Sequence, residues 1–213
     1  MIVVQDTFVP GGGGLLPVLE SLAQLRALWA GLHGEATAGR LLTAYSGLPR
    51  QTIWQFECER FGLYEERRHA VEQMEAAQAL FASLDRHSAE VTNNFYSFAG
   101  DDDTGAEVRK HGVVVQARYI PRHGQRDRTL DLLRVWQRDW AAKLEPEMKG
   151  RVLGFTSTGV THDILWQAEY PSAGAYEAAY ARWKASDAFE AWARDFRDSY
   201  VTNTHAVLRI VEK

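Results

Sequence analysis

The sequence predicts an α+β fold built twice: two tandem β-α-β-β-α-β, ferredoxin-like units, packed sheet to sheet. Three observations predict it. The hydrophobic period switches between two and 3.6 residues in the same order in each half of the chain. Separated segments recur at a nearly constant offset. VVQDTFVP (3–10) matches VVQARYIP (114–121), and Gly39-Arg40 matches Gly150-Arg151, both 111 residues apart. Trp54 in IWQFE matches Trp166 in LWQAE at 112, and Val91-Thr92-Asn93 matches Val201-Thr202-Asn203 at 110. Four matches in the same order, drifting by a residue, read as an internal duplication of about 105 residues per copy. Finally, such a unit covers one sheet face with its helices and leaves the other apolar, so a second copy in the same chain is the natural cover.

Each element follows from its residues. Residues 2–9 alternate and are rich in β-branched side chains, a strand ended by Pro10 and four glycines. In 15–32, Val18, Leu22, Leu25, Trp29 and Leu32 share one helical stripe. LLTAYSG and TIWQFECE form a hairpin turning at Leu48-Pro49-Arg50. Residues 63–90 are helix-forming with a break near 76, and Asn94–Phe98 is the last strand of the first copy. The second copy repeats the order. It has a strand at 113–120, a helix at 126–145 with Leu133, Trp136, Trp140 and Leu144 on one stripe, and a hairpin at 151–157 and 163–170. A helical stretch at 173–200 breaks at Ala185-Ser186, and 204–211 is the closing strand. Residues 1–98 and 113–213 are therefore the two repeats, and the acidic, turn-rich 99–112 is the linker.

Composition excludes several classes. A net charge of -4 without a basic block argues against a nucleic-acid partner. The single cysteine, Cys58, precludes a disulfide within the chain and fits a reducing compartment. MIVVQDTFVP lacks a basic n-region, and no apolar run approaches the roughly 18 residues of a membrane span. The expectation is a soluble, cytoplasmic protein with no membrane partner, either a monomeric pseudo-dimer or a homodimer.

The ordered set of short features resembles the dimeric α+β barrel superfamily, and within it NIPSNAP-like proteins. It comprises a first strand running into a Pro/Gly turn (FVPGGGG, YIPRHG), a Gly-Arg-x-Leu entry to the hairpin, a following strand (IWQFECE, LWQAEY), and a helix broken at small or acidic residues (RWKASDAFEAWARDF). The resemblance spans both copies and implies a pseudo-dimeric α+β barrel. It also implies a range of activities: cofactor-free monooxygenases of aromatic polyketides, haem-degrading monooxygenases, isomerases and cyclases, and proteins without known chemistry. The haem-degrading members carry Asn on the first strand, Trp at the end of the third and His on the last helix. This chain has Gln5 and Gln116 on its first strands and Trp192-Ala193 where the His belongs, with His87 about a turn from the matching place in the first copy. That triad is incomplete in both halves.

Candidate site residues come from polar groups on buried strands. An unpaired buried amide costs on the order of 1–3 kcal/mol, which makes Gln55 and Gln116 informative; Gln5, Gln116 and Arg118 either hydrogen-bond to a neighbouring strand or helix end or line a wet pocket between sheet and helices. Trp54 and Gln55 point to opposite faces. The second copy holds five of the seven tryptophans, more than its core requires. Its aromatics therefore read either as core or as the wall of a small-molecule pocket formed by Tyr119, Trp136, Trp140, Phe155, Trp166, Tyr180 and Trp183. Gln116, Arg118 and His205 are the candidate catalytic groups, with a hydrogen-bonded structural role as the alternative for His205. The seven histidines form no HxH, HxxxH or HExxH pattern, so no metal site is signalled, and no cofactor is called for. Gly11–Gly14 lacks a phosphate-loop ending and reads as a strand-helix loop, and Cys58 reads as a buried, inert thiol. The expected function is a metal-free enzyme acting on a small hydrophobic or aromatic molecule, a cofactor-independent monooxygenase or an isomerase or cyclase. The alternatives are a non-catalytic binder of a hydrophobic ligand or haem, and an interaction scaffold.

Overall fold

The structure, a computed structural model, describes residues 1–47, 50–98, 112–141, 148–155 and 163–211. Its fold is α+β. In chain order the first half contains β1 (Ile2–Pro10), α1 (Leu15–His33), β2 (Arg40–Gly47), β3 (Thr52–Cys58), α2 (Phe61–Glu72), α3 (Glu75–His87) and β4 (Ser88–Phe98). The second half contains β5 (Val113–Pro121), α4 (Arg126–Val135), β6 (Lys149–Phe155), β7 (Ile164–Tyr170), α5 (Ala173–Lys184), α6 (Asp187–Arg197) and β8 (Tyr200–Ile210). The contacts form two compact units. Residues 1–44, 50–95 and 210–211 belong to the first, and 45–47, 96–98, 112–141, 148–155 and 163–209 to the second.

Both units have the same strand order, β4-β1-β3-β2 in the first and β8-β5-β7-β6 in the second, and the β1-β3, β3-β2, β8-β5, β5-β7 and β7-β6 pairs are antiparallel. Strand alternation then decides what faces what. In the first unit Val4, Phe8, Trp54, Phe56 and Cys58 turn to the helices and form one core with Val18, Leu22, Leu25 and Trp29 of α1. Cys58 is buried there, as its spacing from Trp54 and Phe56 requires. In the second unit Val115, Ala117, Tyr119, Trp166 and Ala168 turn to the helices and pack with Leu133, Trp136 and Trp183. Gly39 shows why a Gly-Arg pair opens β2. It holds a φ of +64°, and a Cβ there would stand 2.1 Å from the Gln55 carbonyl oxygen.

Several boundaries move. The α2/α3 break falls at residues 73–74, and β4 begins at Ser88, six residues before the expected Asn94. Residues 89–93 are exposed throughout, so they carry no alternating burial signal. The helix expected over 126–145 is α-helical to Val135 and continues as a π-helical stretch over Trp136–Ala141. Leu32 lies at the end of the α1 stripe and is 48% exposed. The Val-Thr-Asn match at offset 110 is also corrected. β4 and β8 both run eleven residues, from 88 and from 200, which places Asn93 level with His205. The Leu48-Pro49 turn, the linker at 99–111 and the hairpin turn at 156–162 lie outside the described residues, as do the side chains of Trp140 and Phe155.

Candidate functional site

A polar cluster stands on the helix side of the first unit's sheet. Asp6 is the fifth residue of β1, between Val4 and Phe8 on the face that packs against the helices. Asn93 of β4 donates from Nδ2 to the Asp6 carboxylate and also reaches the Tyr64 hydroxyl at 3.2 Å. Tyr64 sits one turn into α2. Arg68, one turn further, donates from Nη1 to the same hydroxyl at 2.6 Å, and its Nε is held by Glu72 at 2.7 Å. Helical spacing of four residues puts Tyr64, Arg68 and Glu72 on one face, so α2 presents them as a unit.

The electrostatics follow from this geometry. Burial pushes the Asp6 carboxyl up to about 6, against the opposing pull of the Arg68 charge and the Asn93 hydrogen bond. Tyr64 is pushed up to about 12, again chiefly by burial and next by the Asp6 charge, so its hydroxyl keeps its proton at neutral pH. A phenol has one proton to give and two lone pairs to fill. Arg68 and Asn93 fill both lone pairs, and among the described residues the Tyr64 proton has no acceptor. Phe61, Phe95 and Tyr64 stand edge to face around the cluster, with Phe61–Phe95 centroids 4.9 Å apart and Tyr64–Phe95 5.3 Å apart. Phe61 is half exposed, and residues 89–93 of β4 are exposed on both faces, so the cluster opens to solvent on this side.

The same place in the second unit has different chemistry. Tyr176 is the fourth residue of α5, as Tyr64 is of α2. Its hydroxyl bonds His205 Nε2 at 3.1 Å, as Tyr64 bonds Asn93. Ala117 pairs with His205 across the strands, on the face where the first unit has Asp6. Partial desolvation beside the Tyr176 ring lowers the His205 pKa from its ordinary value, which favours the neutral imidazole.

The chain matches no family model, and no curated protein matches it in sequence. Solved structures do match in shape. An anthrone oxidase-like protein superposes with a TM-score of 0.66 at 14% identity, over 99% of this chain and 91% of the other. A protein assigned as a monooxygenase from Fusobacterium nucleatum subsp. nucleatum gives 0.65 at 10% identity, over 99% and 92%. A heme-binding protein from Thermus thermophilus gives 0.59 at 10%, over 99% and 91%. The fold is that of the dimeric α+β barrel proteins. At these identities the likeness shows the fold alone.

The α+β barrel fold separates the residues expected to act together. Gln116 pairs with Gln167, and Arg118 with Leu165, on the sheet face away from the helices, whereas His205 shares the helix face with Trp166 and Ala117. The three do not converge, and a pocket between sheet and helices lined by Gln5, Gln116 and Arg118 is corrected for the same reason. Period-two alternation gives the helix side to the aromatic residues and sends the glutamines to the other face. Both amides are buried there, and among the described residues Gln5 Nε2 and Gln116 Nε2 have no hydrogen-bond partner. Arg118 forms an ion pair with the fully buried Asp163. Tyr119, Trp136, Trp166 and Trp183 are core. Trp136 meets Trp183 at 4.6 Å and Trp192 at 4.9 Å between centroids, and the Trp166 indole donates to Gln137 Oε1 at 3.0 Å. Tyr180 is 40% exposed.

Sequence reasoning missed Asp6, Asn93, Tyr64 and Arg68. One signal was present: Asp6 is an ionisable group in a β-branched strand, in step with Val4 and Phe8, where a carboxylate needs partners. Among the described residues no group of three or more His, Cys, Asp or Glu could hold a metal, and no helix is long and apolar enough to cross a membrane. Beside the glycine run an open groove of about 320 Å³, lined by Pro10, Leu15, Leu16, Leu19 and Arg50 among others, shares no residue with the Asp6 cluster.

Proposed function

We propose that the protein is an enzyme acting without metal on a small hydrophobic or aromatic molecule, with Asp6 as the proton-transfer group. The observation that carries this is the Tyr64 hydroxyl. Both its lone pairs are taken, and among the described residues its proton has no acceptor, beside a carboxyl whose pKa is raised to about 6. The carboxylate removes a proton from an acidic C–H or O–H. Tyr64 then donates its hydrogen bond to the oxygen on which charge develops, and the Arg68 cation supports that charge. Return of the proton to another carbon is isomerisation; attack of the carbanion on a carbonyl carbon of the same molecule, with the proton passing to that carbonyl's oxygen, is cyclisation. In the oxygenase version the substrate anion supplies the electrons and dioxygen accepts them. The monooxygenase-like fold neighbours support this reading but do not choose between the two outcomes.

The shared strand order and the equivalent Tyr64 and Tyr176 support an origin by internal duplication, giving a NIPSNAP-like pseudo-dimer. A non-catalytic binder of a hydrophobic ligand or haem has less support. The His205 Nε2 that would meet an iron is already bonded to Tyr176, and the buried Trp136 and Trp183 rings fill the core with each other. Gln116 and Arg118 stand outside the proposed centre, on the other sheet face.

The test uses anthrone as probe, following its C–H exchange in D2O by NMR and dioxygen uptake with an electrode. Exchange faster than buffer, falling at least about a hundred-fold in Asp6→Asn, is expected. Exchange that is accelerated equally by wild type, Asp6→Asn and Tyr64→Phe would remove both residues from the mechanism.

A further inference from the structure

We infer that the second unit carries a binding site of its own, at Tyr176, Tyr180 and His205, for an uncharged planar aromatic molecule bearing a hydroxyl or carbonyl group. The place is equivalent to the Asp6 cluster, but Asp6 and Arg68 have uncharged counterparts, and Lys184 stands where Glu72 does. Ala117 stands where Asp6 does, His205 where Asn93 does, and Tyr180, one turn after Tyr176, where Arg68 follows Tyr64. Only the tyrosine one turn into the helix is common to both.

The surroundings fit a flat, neutral ligand. The Tyr176 ring lies near-parallel to both Tyr180 and His205, at 29° with centroids 6.0 Å apart in each case. Tyr180 is 40% exposed and His205 is exposed, as are residues 201–204 of the same strand, so the array reaches solvent. The only hydrogen bond of the imidazole among the described residues is Nε2 to Tyr176, which leaves Nδ1 for a ligand. In one tautomer Nδ1 donates to a carbonyl, and in the other it accepts from a hydroxyl. Lys184 stands over the Tyr180 ring at 4.8 Å, so its charge is directed at that π-face rather than at the Tyr176–His205 pair. Trp183 meets the Tyr180 ring edge to face at 6.5 Å between centroids and is buried, with an indole Nε1 that has no partner among the described residues.

The test titrates the full-length protein with 2-naphthol and, separately, with 2-naphthoate, reading naphthyl fluorescence anisotropy. The expected result is preferential binding of 2-naphthol. Its affinity falls about ten-fold or more in Tyr180→Ala and in His205→Ala, as loss of one stacking or hydrogen-bonding partner predicts, and holds in Leu32→Ala, an exposed position at the end of α1 outside both clusters. The His205 imidazole C–H resonances shift on adding 2-naphthol. Binding that survives both substitutions, a naphthoate preference, or resonances that stay in place would overturn the site. Loss in Arg68→Met would assign the naphthol to the first unit instead. Because nothing in this test requires turnover, it stands or falls separately from the proton-transfer proposal.

Discussion

Asp6→Asn tests the site through stability, without a substrate. Asp6 rises from 3.8 to about 6 on folding, so the folded state holds its proton more tightly than the unfolded chain. The favourable contribution is therefore fully present below pH 3.8 and is lost as pH rises through about 6. A shift of about two units corresponds to roughly 3 kcal/mol of destabilisation above pH 7. Asparagine keeps the oxygen that accepts from Asn93 and carries no charge. Asp6→Asn should consequently gain about 2 kcal/mol relative to wild type between pH 4 and pH 8, since part of the loss has already occurred at pH 4. Urea unfolding of both proteins at the two pH values measures the double difference, in which every other titrating group cancels. A gap that does not change with pH would mean that Asp6 ionises normally, and the argument for a poised base would fail with it. A stabilising substitution at an otherwise conservative position is also what a site held at a cost to the fold should show.

Two further predictions follow from burial. Asp163 is fully buried whereas the Arg118 side chain is 43% exposed, so their ion pair is asymmetric. Arg118→Ala strands a buried carboxylate and should cost about 3–5 kcal/mol, while Asp163→Ala frees an arginine that water can reach and should cost clearly less; paired urea melts measure both, and equal costs would refute the asymmetry. Trp136→Ala should cost about 3–5 kcal/mol if the ring is core, read as a lowered urea midpoint, and a near-neutral result would return Trp136 to the wall of a ligand pocket.

The pentapeptides IWQFE and LWQAE show how far pattern alone reaches. Alternation places Trp54 and Trp166 opposite Gln55 and Gln167, and the structure keeps that split. Pattern does not say which face meets the helices, so it puts Gln116 and Arg118 on the wrong side. The first half of β4 is illegible because residues 89–93 are exposed on both faces and leave no period to read. The site is harder still. Asp6, Tyr64, Arg68 and Asn93 come from a strand, a helix and a second strand, and only the helical pair is close in sequence.

What the sequence determined by itself was local: the order of strands and helices, their amphipathic faces, and the recurrence of that order in two halves. These depend on period and on neighbours within a few residues, which a linear text records. Tertiary structure decided which strands lie side by side, and with that which polar residues meet. Asn93 reaches Asp6 because β4 lies beside β1, and a carboxyl acquires a near-neutral pKa only when packing removes its water. Desolvation and long-range pairing are properties of the folded whole, and in this chain they place the candidate chemistry at Asp6.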